Sequence, residues 1–381
     1  LGIELIFNLT PLPHVYGVIQ AKMLGAHTLQ DELKHVSLIT LEDSTNLNQV
    51  ASQLGIENFD ADAIYQRRSM YAAVLDRLGQ ASPKAVVIDI TFGPSPTDIP
   101  QEQITERLNH TTKLIAAAEK LGSVHGVPLI SASPYIQPTG QSDDPIDPAF
   151  ASKVILGGNT LSASLPGLYI CYAFVKKPGE PTMPSLALAT VAAAHVDVRG
   201  VTNESAAHDS APISGNQRAY IVQSLRRPEI YVSNSMLEVV PATQFGFEEI
   251  ATRATYEPVR LQLADVVELT GYESDAEDLA ATGINGGDQT GYYYTQLPSS
   301  QAFDRCTIEL SKMLAMDTET LAKHVDGKIV VIANIRNDPS NGDFWPSGFG
   351  YDIPGPHIQA AAIESMMRGV SITLMLSLIH I

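Results

Sequence analysis

The side chains in this sequence best suited to chemistry are three aspartates and one histidine, Asp43, Asp89, Asp338 and His357. Carboxylates and an imidazole together can hold a hard or borderline cation, and metal-assisted hydrolysis is the reaction they would support. Glu42 stands beside Asp43, and Arg68 offers a guanidinium that could pair a carboxylate across a crevice. His357 lies where a helix begins, and the free backbone N–H groups of a helix start favour anions. Each residue also has a plainer reading. The acids could begin loops or cap helices, and Arg68 could anchor its own helix through an ion pair.

The usual catalytic signatures are absent. No G-x-x-x-x-G-K-[ST] occurs, nor H-E-x-x-H, C-x-x-C or a G-x-S-x-G elbow. GFGYDI (348–353) starts like a dinucleotide fingerprint but lacks its third glycine. NDPSNGD (337–343) resembles a calcium loop by eye, yet Pro339 occupies a ligand position and no Glu follows at the twelfth. Asp89 heads DIT, without the second Asp that aspartyl phosphoryl-transfer enzymes place two residues on. This pattern favours a protein without catalysis of its own.

The elements that must position these residues form a regular rhythm. VSLITL (36–41) is a strand ending in Glu42 and Asp43, and 60–78 is a helix with Ile64, Tyr71, Val74, Leu75 and Leu78 on one face and Gly79 as its stop. AVVIDI (85–90), a helix over 100–121 and VPLISAS (127–133) follow. Strands this apolar are covered on both faces, which predicts an α/β fold: a mostly parallel central sheet with helices on both faces, plus a less regular inserted region. In such sheets ligands sit in the crevice outside the carboxyl ends of the strands, where Asp43, Asp89 and 334–338 fall.

The middle of the chain is less ordered by pattern. A loop over 137–148 precedes a strand at 168–175 and an Ala/Leu helix over 184–196, which Pro184 opens. Between 200 and 300, polar loops alternate with short strands such as 219–225 and 229–233. Phe303, Cys306, Leu310, Met313 and Leu314 then mark one helix face. KIVVIANI (328–335) is a buried strand, 337–356 a loop too rich in Gly, Pro and Asp to be regular, and a helix runs from His357 to Gly369.

Composition bounds the remaining possibilities. The 381 residues are 44% hydrophobic and 17% charged, enough apolar mass for a sizeable core. Lys plus Arg is 24 against 42 for Asp plus Glu, a formal charge of −18, which repels nucleic acid and anionic lipid. Two cysteines, Cys171 and Cys306, exclude a disulfide scaffold and a multi-cysteine zinc module, and both read as small buried hydrophobes or as one bridged pair. The chain starts at Leu1 and carries apolar stretches at each end, so it reads as a fragment. The closing residues 371–381 are a trimmed membrane stub or vector sequence, shorter than the roughly 20 residues a spanning helix needs.

The order of motifs resembles a known family. A strand ends in acids, a helix carries Arg68, Tyr71 and Ala72, and VVIDITF holds Asp89 and Phe92. Downstream come VDGKIVVIANIRND and then IPGPHIQAAAIESMM. This is similar to the type-two CHASE domain, an extracellular sensor set between membrane segments of bacterial receptors. The matching parts are 36–133, 184–194 and 325–369. Here the acids read Glu42-Asp43 rather than Asp-Glu, no Trp-Pro precedes Arg68, and Ala333 replaces a preferred glycine.

The resemblance implies an extracytoplasmic ligand-sensing domain of a transmembrane receptor, with a kinase or nucleotide-cyclase output outside this chain and no catalytic step within it. It divides the chain into a membrane-proximal lead-in (1–35), a sensor domain (36–370, with 197–300 a variable insertion) and the apolar tail (371–381). The expected ligand crevice gathers Glu42, Asp43, Arg68, Asp89, Phe92, Asp338 and His357, with no metal and no cofactor. The expected partners are an unidentified small molecule, a second copy of the chain as homodimer, and a membrane through flanking segments, with no nucleic acid. The competing expectation is a metal-assisted α/β hydrolase built on Asp43, Asp89, Asp338 and His357.

Overall fold

The structure, a computed structural model, describes residues 33–56, 59–60, 63–94, 100–133, 146–159, 300–336, 343–346 and 352–368, with shorter stretches between 161 and 298. Its centre is a sheet of six strands, all parallel. In chain order they are β1 (Val36–Leu41), β2 (Ala85–Ile88), β3 (Leu129–Ser133), β4 (Ile155–Gly158), β5 (Thr307–Glu309) and β6 (Ile329–Asn334). Across the sheet the order is β5-β1-β6-β2-β3-β4. Every residue of β1, β2 and β3 is buried, as the continuous apolar runs require of strands covered on both sides.

Two layers of helices do the covering. On one face lie α1 (Leu47–Gln53), α2 (Arg67–Ala81), α3 (Gln101–Ser123), α4 (Pro148–Ala151), α7 (Leu310–Ala315) and α8 (Thr318–Val325). On the other lie α5 (Leu186–Ala194), α6 (Ser300–Cys306) and α9 (Gly355–Met367). Alternation along β2 divides the core between them. Val86 and Ile88 join the α2 and α3 layer, and Ala85 and Val87 join the α5 and α9 layer.

Several expectations need correction. The stretch 303–314 is not one helix. α6 ends at Cys306, Thr307–Glu309 pair in parallel with Leu38–Thr40 of β1, and Glu309 then caps α7 by accepting from the Lys312 N–H. The spacing of Cys306, Leu310 and Met313 imitated a helical face, while the β-branched Thr307 and Ile308 took the open edge of the sheet. The region 337–356 is not wholly irregular, because Phe344–Pro346 pairs antiparallel with Asp352–Pro354.

The helix expected over 60–78 starts as the 3-10 turn Ile64–Gln66 and runs on to Ala81, with Ser82 left-handed at φ 54 as its stop. Ile64 is 61% exposed and not on the buried face. Gly79 is inside this helix for a different reason: a Cβ there would fall 2.5 Å from the His125 ring. β4 (ILGG) escaped notice because it is short and half glycine. Just before it, 146–151 turns into α4, capped by Asp147.

Cys306 is a free, buried thiol, so it does not bridge Cys171. It donates weakly to the Phe303 carbonyl at 3.3 Å, and burial pushes its pKa up to about 12. Residues 1–32 of the lead-in, the strand at 219–225, Asp338 and the tail 371–381 lie outside the described residues.

Candidate functional site

Because all six strands run the same way, their carboxyl ends share one rim, and the helices that follow them begin there. Glu42 and Asp43 follow β1, Asp89 follows β2, Asn159 follows β4 and Asn334 ends β6. At β6 the winding reverses. β6 leads to α9 on one face, while its neighbours β1 and β2 lead to α1 and α3 on the other. Such a switch point opens a crevice at the strand ends.

Asp89 sits at this point. Its N–H donates to the Ile332 carbonyl at 3.1 Å, one step beyond β2, and alternation directs its side chain to the α5 and α9 layer. There it meets Asn159, with which its carboxylate hydrogen-bonds, and Asp343. One oxygen, Oδ1, is sealed from solvent and has no partner among the described residues. Burial raises the Asp89 pKa to about 7, Asp343 adds like-charge repulsion, and Asn159 offsets part of the rise. Burial also raises Asp343, whose Oδ1 accepts from Trp345 Nε1 at 2.9 Å.

The start of α9 closes this corner. The Gly355 N–H donates to the Asp343 carbonyl at 2.9 Å, and the Asp343 carboxylate lies directly on the Gly355 α-carbon. One turn on, Gln359 is 2% exposed and reaches the Asn159 carbonyl at 3.4 Å. Asn159, Asp343 and Gln359 were not among the expected site residues. Gln359 alone carried a signal, as the one polar residue inside IQAAAI.

Arg68 and Phe92 are brought together, on the opposite side of the sheet. The Arg68 guanidinium donates to Thr111 Oγ1 and to the Gly93 carbonyl, and its Cζ stands 6.0 Å from the Phe92 ring centre. Phe92 in turn meets Tyr71 and Phe150 edge-on, at 5.7 and 5.2 Å between centroids. Burial lowers the Arg68 pKa, and the charge that opposes this is Asp147, not Asp89 or Asp43. These two residues therefore hold the loop after β2 against α2, α3 and α4.

Glu42 is bound up locally. It accepts from Thr40 Oγ1 at 2.9 Å, and its N–H donates to Thr45 Oγ1 at 3.0 Å. Asp43 is exposed. His357 packs its ring on Phe303 at 4.6 Å with Nδ1 sealed and without a partner among the described residues, and burial lowers its pKa to about 4 despite Asp304 nearby. At neutral pH it is an uncharged imidazole within the α6 and α9 contact, in the first turn of α9.

This corner brings together the buried Asp89 carboxylate, the Asn159 amide and the start of α9. Among the described residues, no group of three or more His, Cys, Asp or Glu is placed to hold a metal ion. Nor is any helix among them long and apolar enough to cross a membrane.

The fold is a doubly wound parallel domain with a buried carboxylate at its switch point. The family model described as CHASE2 domain matches residues 38–379, and the chain belongs to that family, which consists of sensor domains. Neither a curated protein nor a solved structure gives a significant match.

Proposed function

We propose that this chain is the extracytoplasmic ligand-sensing domain of a transmembrane signalling receptor, and that its ligand docks at the strand-end rim beside Asp89. The family match supports a sensory rather than catalytic role. The observation that carries the site is the sealed Oδ1 of Asp89, without a partner among the described residues, next to Asp343 and the first turn of α9. A buried acceptor without a donor is costly, so a ligand N–H or O–H placed there gains more than it would at the surface.

Such a ligand shifts the protein between two states only by binding one of them better. α9 is the element suited to register the difference. Its first turn forms part of the rim, and its last turn reaches the opposite edge of the domain. There Glu364 accepts from the Lys34 and His35 N–H groups at 3.0 and 2.8 Å. The start of β1 and the end of α9 are thus clipped together, which suits a domain joined on both sides to membrane segments. A homodimer and a cytoplasmic kinase or cyclase output belong to the same proposal.

A metabolite screen by thermal shift tests it. A ligand at about 100 times its Kd should stabilise the domain by about 2.7 kcal/mol. The shift should vanish in Asp89→Asn while that variant still unfolds cooperatively. A ligand whose shift is untouched by Asp89→Asn and Asp343→Asn would move the site elsewhere. Hydrolysis of generic esters or phosphates by the purified chain would replace sensing with catalysis.

A further inference from the structure

A groove of 760 Å³ runs along the seam between α2 and α3, outside the strand-end rim. The two helices are matched residue against residue. Ser69 Oγ lies 2.6 Å from His110 Nδ1, and Asp76 closes the far end by pairing Lys120 at 2.8 Å. Between these ends the floor is made of Ala72, Ala73, Ala116 and Ala117, and Leu54 and Ile56 from beyond α1 form an apolar lip. Four alanines facing one another leave an open channel with a greasy base and a polar head.

The head carries two charges of opposite sign, Glu106 and Lys113, that no opposite charge among the described side chains neutralises. Glu106 is fixed by neutral donors, Gln66 Nε2 at 3.0 Å on one oxygen and Tyr65 OH at 3.1 Å on the other. The neighbouring Arg107 is turned onto the Tyr65 ring, 4.8 Å from its centre. His110 Nε2 is 3.9 Å from Glu106, too long for a hydrogen bond, and burial together with Lys113 keeps this imidazole neutral. With Ser69 on Nδ1 and Glu106 on the far side, the proton is assigned to Nε2, which then points an N–H into the groove.

Lys113, two turns from Glu106 and about 10 Å along the helix, makes no salt bridge among the described residues. The trio Ser69, His110 and Glu106 is not a hydrolytic triad. Ser69 meets Nδ1 and Glu106 stands 3.9 Å from Nε2, beyond hydrogen-bond range, so no acid orients the imidazole toward the hydroxyl.

We infer that this groove binds a small aliphatic α-amino acid as its zwitterion. The ammonium pairs with Glu106, the carboxylate takes the Lys113 ammonium and the His110 Nε2–H, and the side chain lies over the alanines toward Leu54 and Ile56. A simple anion would leave Glu106 repelling it, and a simple amine would face Lys113. Only a molecule with both charges satisfies the head, and only an apolar side chain suits the floor.

Isothermal titration of the 381-residue chain with L-leucine tests the inference. One saturable site is expected. Isoamylamine, lacking the carboxylate, and 4-methylpentanoate, lacking the ammonium, should each bind about tenfold more weakly or worse. Ala116→Trp fills the channel from an exposed helix position and should abolish leucine binding while leaving the melting transition in place. Glu106→Gln should weaken leucine far more than 4-methylpentanoate.

Absence of saturable binding by leucine, valine and alanine would overturn the inference, as would leucine binding that survives Ala116→Trp. Leucine binding lost in Asp89→Asn but kept in Glu106→Gln would assign the amino acid to the rim instead. The rim reading stands independently, since its own screen reads Asp89.

Discussion

The Asp343 carboxylate occupies the space where a side chain at Gly355 would be. A Cβ on Gly355 would meet Oδ2 at 2.2 Å and Oδ1 at 2.3 Å. The first residue of α9 is therefore glycine so that an acid from the preceding loop can lie on the helix start. A negative charge is favourable there, and the same acid raises the proton affinity of Asp89.

Gly355→Ala should displace Asp343 and cost about 1–3 kcal/mol, the range for overpacking a tight site. Urea unfolding measures it. The penalty should shrink by about 1 kcal/mol or more when Asp343→Ala is added, since the colliding group is then gone. Additive single and double variants would mean that the two residues do not meet.

Asp89 makes stability depend on pH in an unusual direction. Its pKa is about 7 in the fold against an ordinary 3.8, so the folded chain binds the extra proton between these values. The stabilisation is complete below pH 4 and is lost as pH rises through 7, by up to about 4 kcal/mol. His357 has the opposite sign. Its folded pKa of about 4 lies below the ordinary 6.5, so its contribution is full above pH 6.5 and is lost as pH falls through 4. Between pH 4 and 6.5 the two slopes oppose each other. Asp89→Asn should therefore expose a stability that rises with pH in that window, and His357→Phe one that falls from pH 4 to 7. Denaturant midpoints across pH 4–8 compare the three proteins. Parallel profiles would remove both groups from the titration.

Much of the sheet was legible because continuous apolar runs such as VSLITL and KIVVIANI have few alternatives to a doubly covered strand. The rim followed from that, since strand ends locate Glu42, Asp43 and Asp89 without any knowledge of contacts. What escaped was set by distant partners. Thr307–Glu309 becomes a strand because β1 has an open edge, and nothing local announces it. Asn159 follows a strand with too little apolar character to be seen, and Asp343 matters through Gly355, twelve residues on. Arg68 and Phe92 were legible as members of the motif order, but their contact with each other and their orientation away from Asp89 depend on alternation at β2 and on Thr111 and Asp147.

Arg68 fixes the loop after β2 by two hydrogen bonds that no other described side chain supplies, to Gly93 and Thr111. Arg68→Ala should cost about 2 kcal/mol, because the Gly93 carbonyl and the Thr111 hydroxyl lose a charged donor in a partly buried place. Arg68→Lys should recover less than half of this, since one ammonium on a flexible stem cannot copy a planar fork reaching two acceptors. Chemical denaturation ranks the three proteins. Full recovery by lysine would reduce Arg68 to a bare charge, and the geometric role assigned to it would fail.

Glu364 joins the two ends of the described domain. It is 4% exposed and accepts from the Lys34 and His35 N–H groups, while the His35 ring stands 3.1 Å away and Arg368 Nε 2.7 Å away. Glu364→Gln preserves volume but turns one acceptor into an NH2 group facing N–H donors. The mismatch should cost about 3 kcal/mol, as expected when one partner of a buried charged cluster is removed. It should act locally before it acts globally, by freeing the start of β1 from the last turn of α9. Hydrogen exchange resolved by residue separates the two effects. The amide of His35 and those of 364–368 should lose protection in Glu364→Gln under conditions where Val86 and Val331, in the middle of the sheet, keep theirs. If all these amides lose protection together, Glu364 is only one more core contact, and the link from rim through α9 to the start of β1 is not a separable element of the domain.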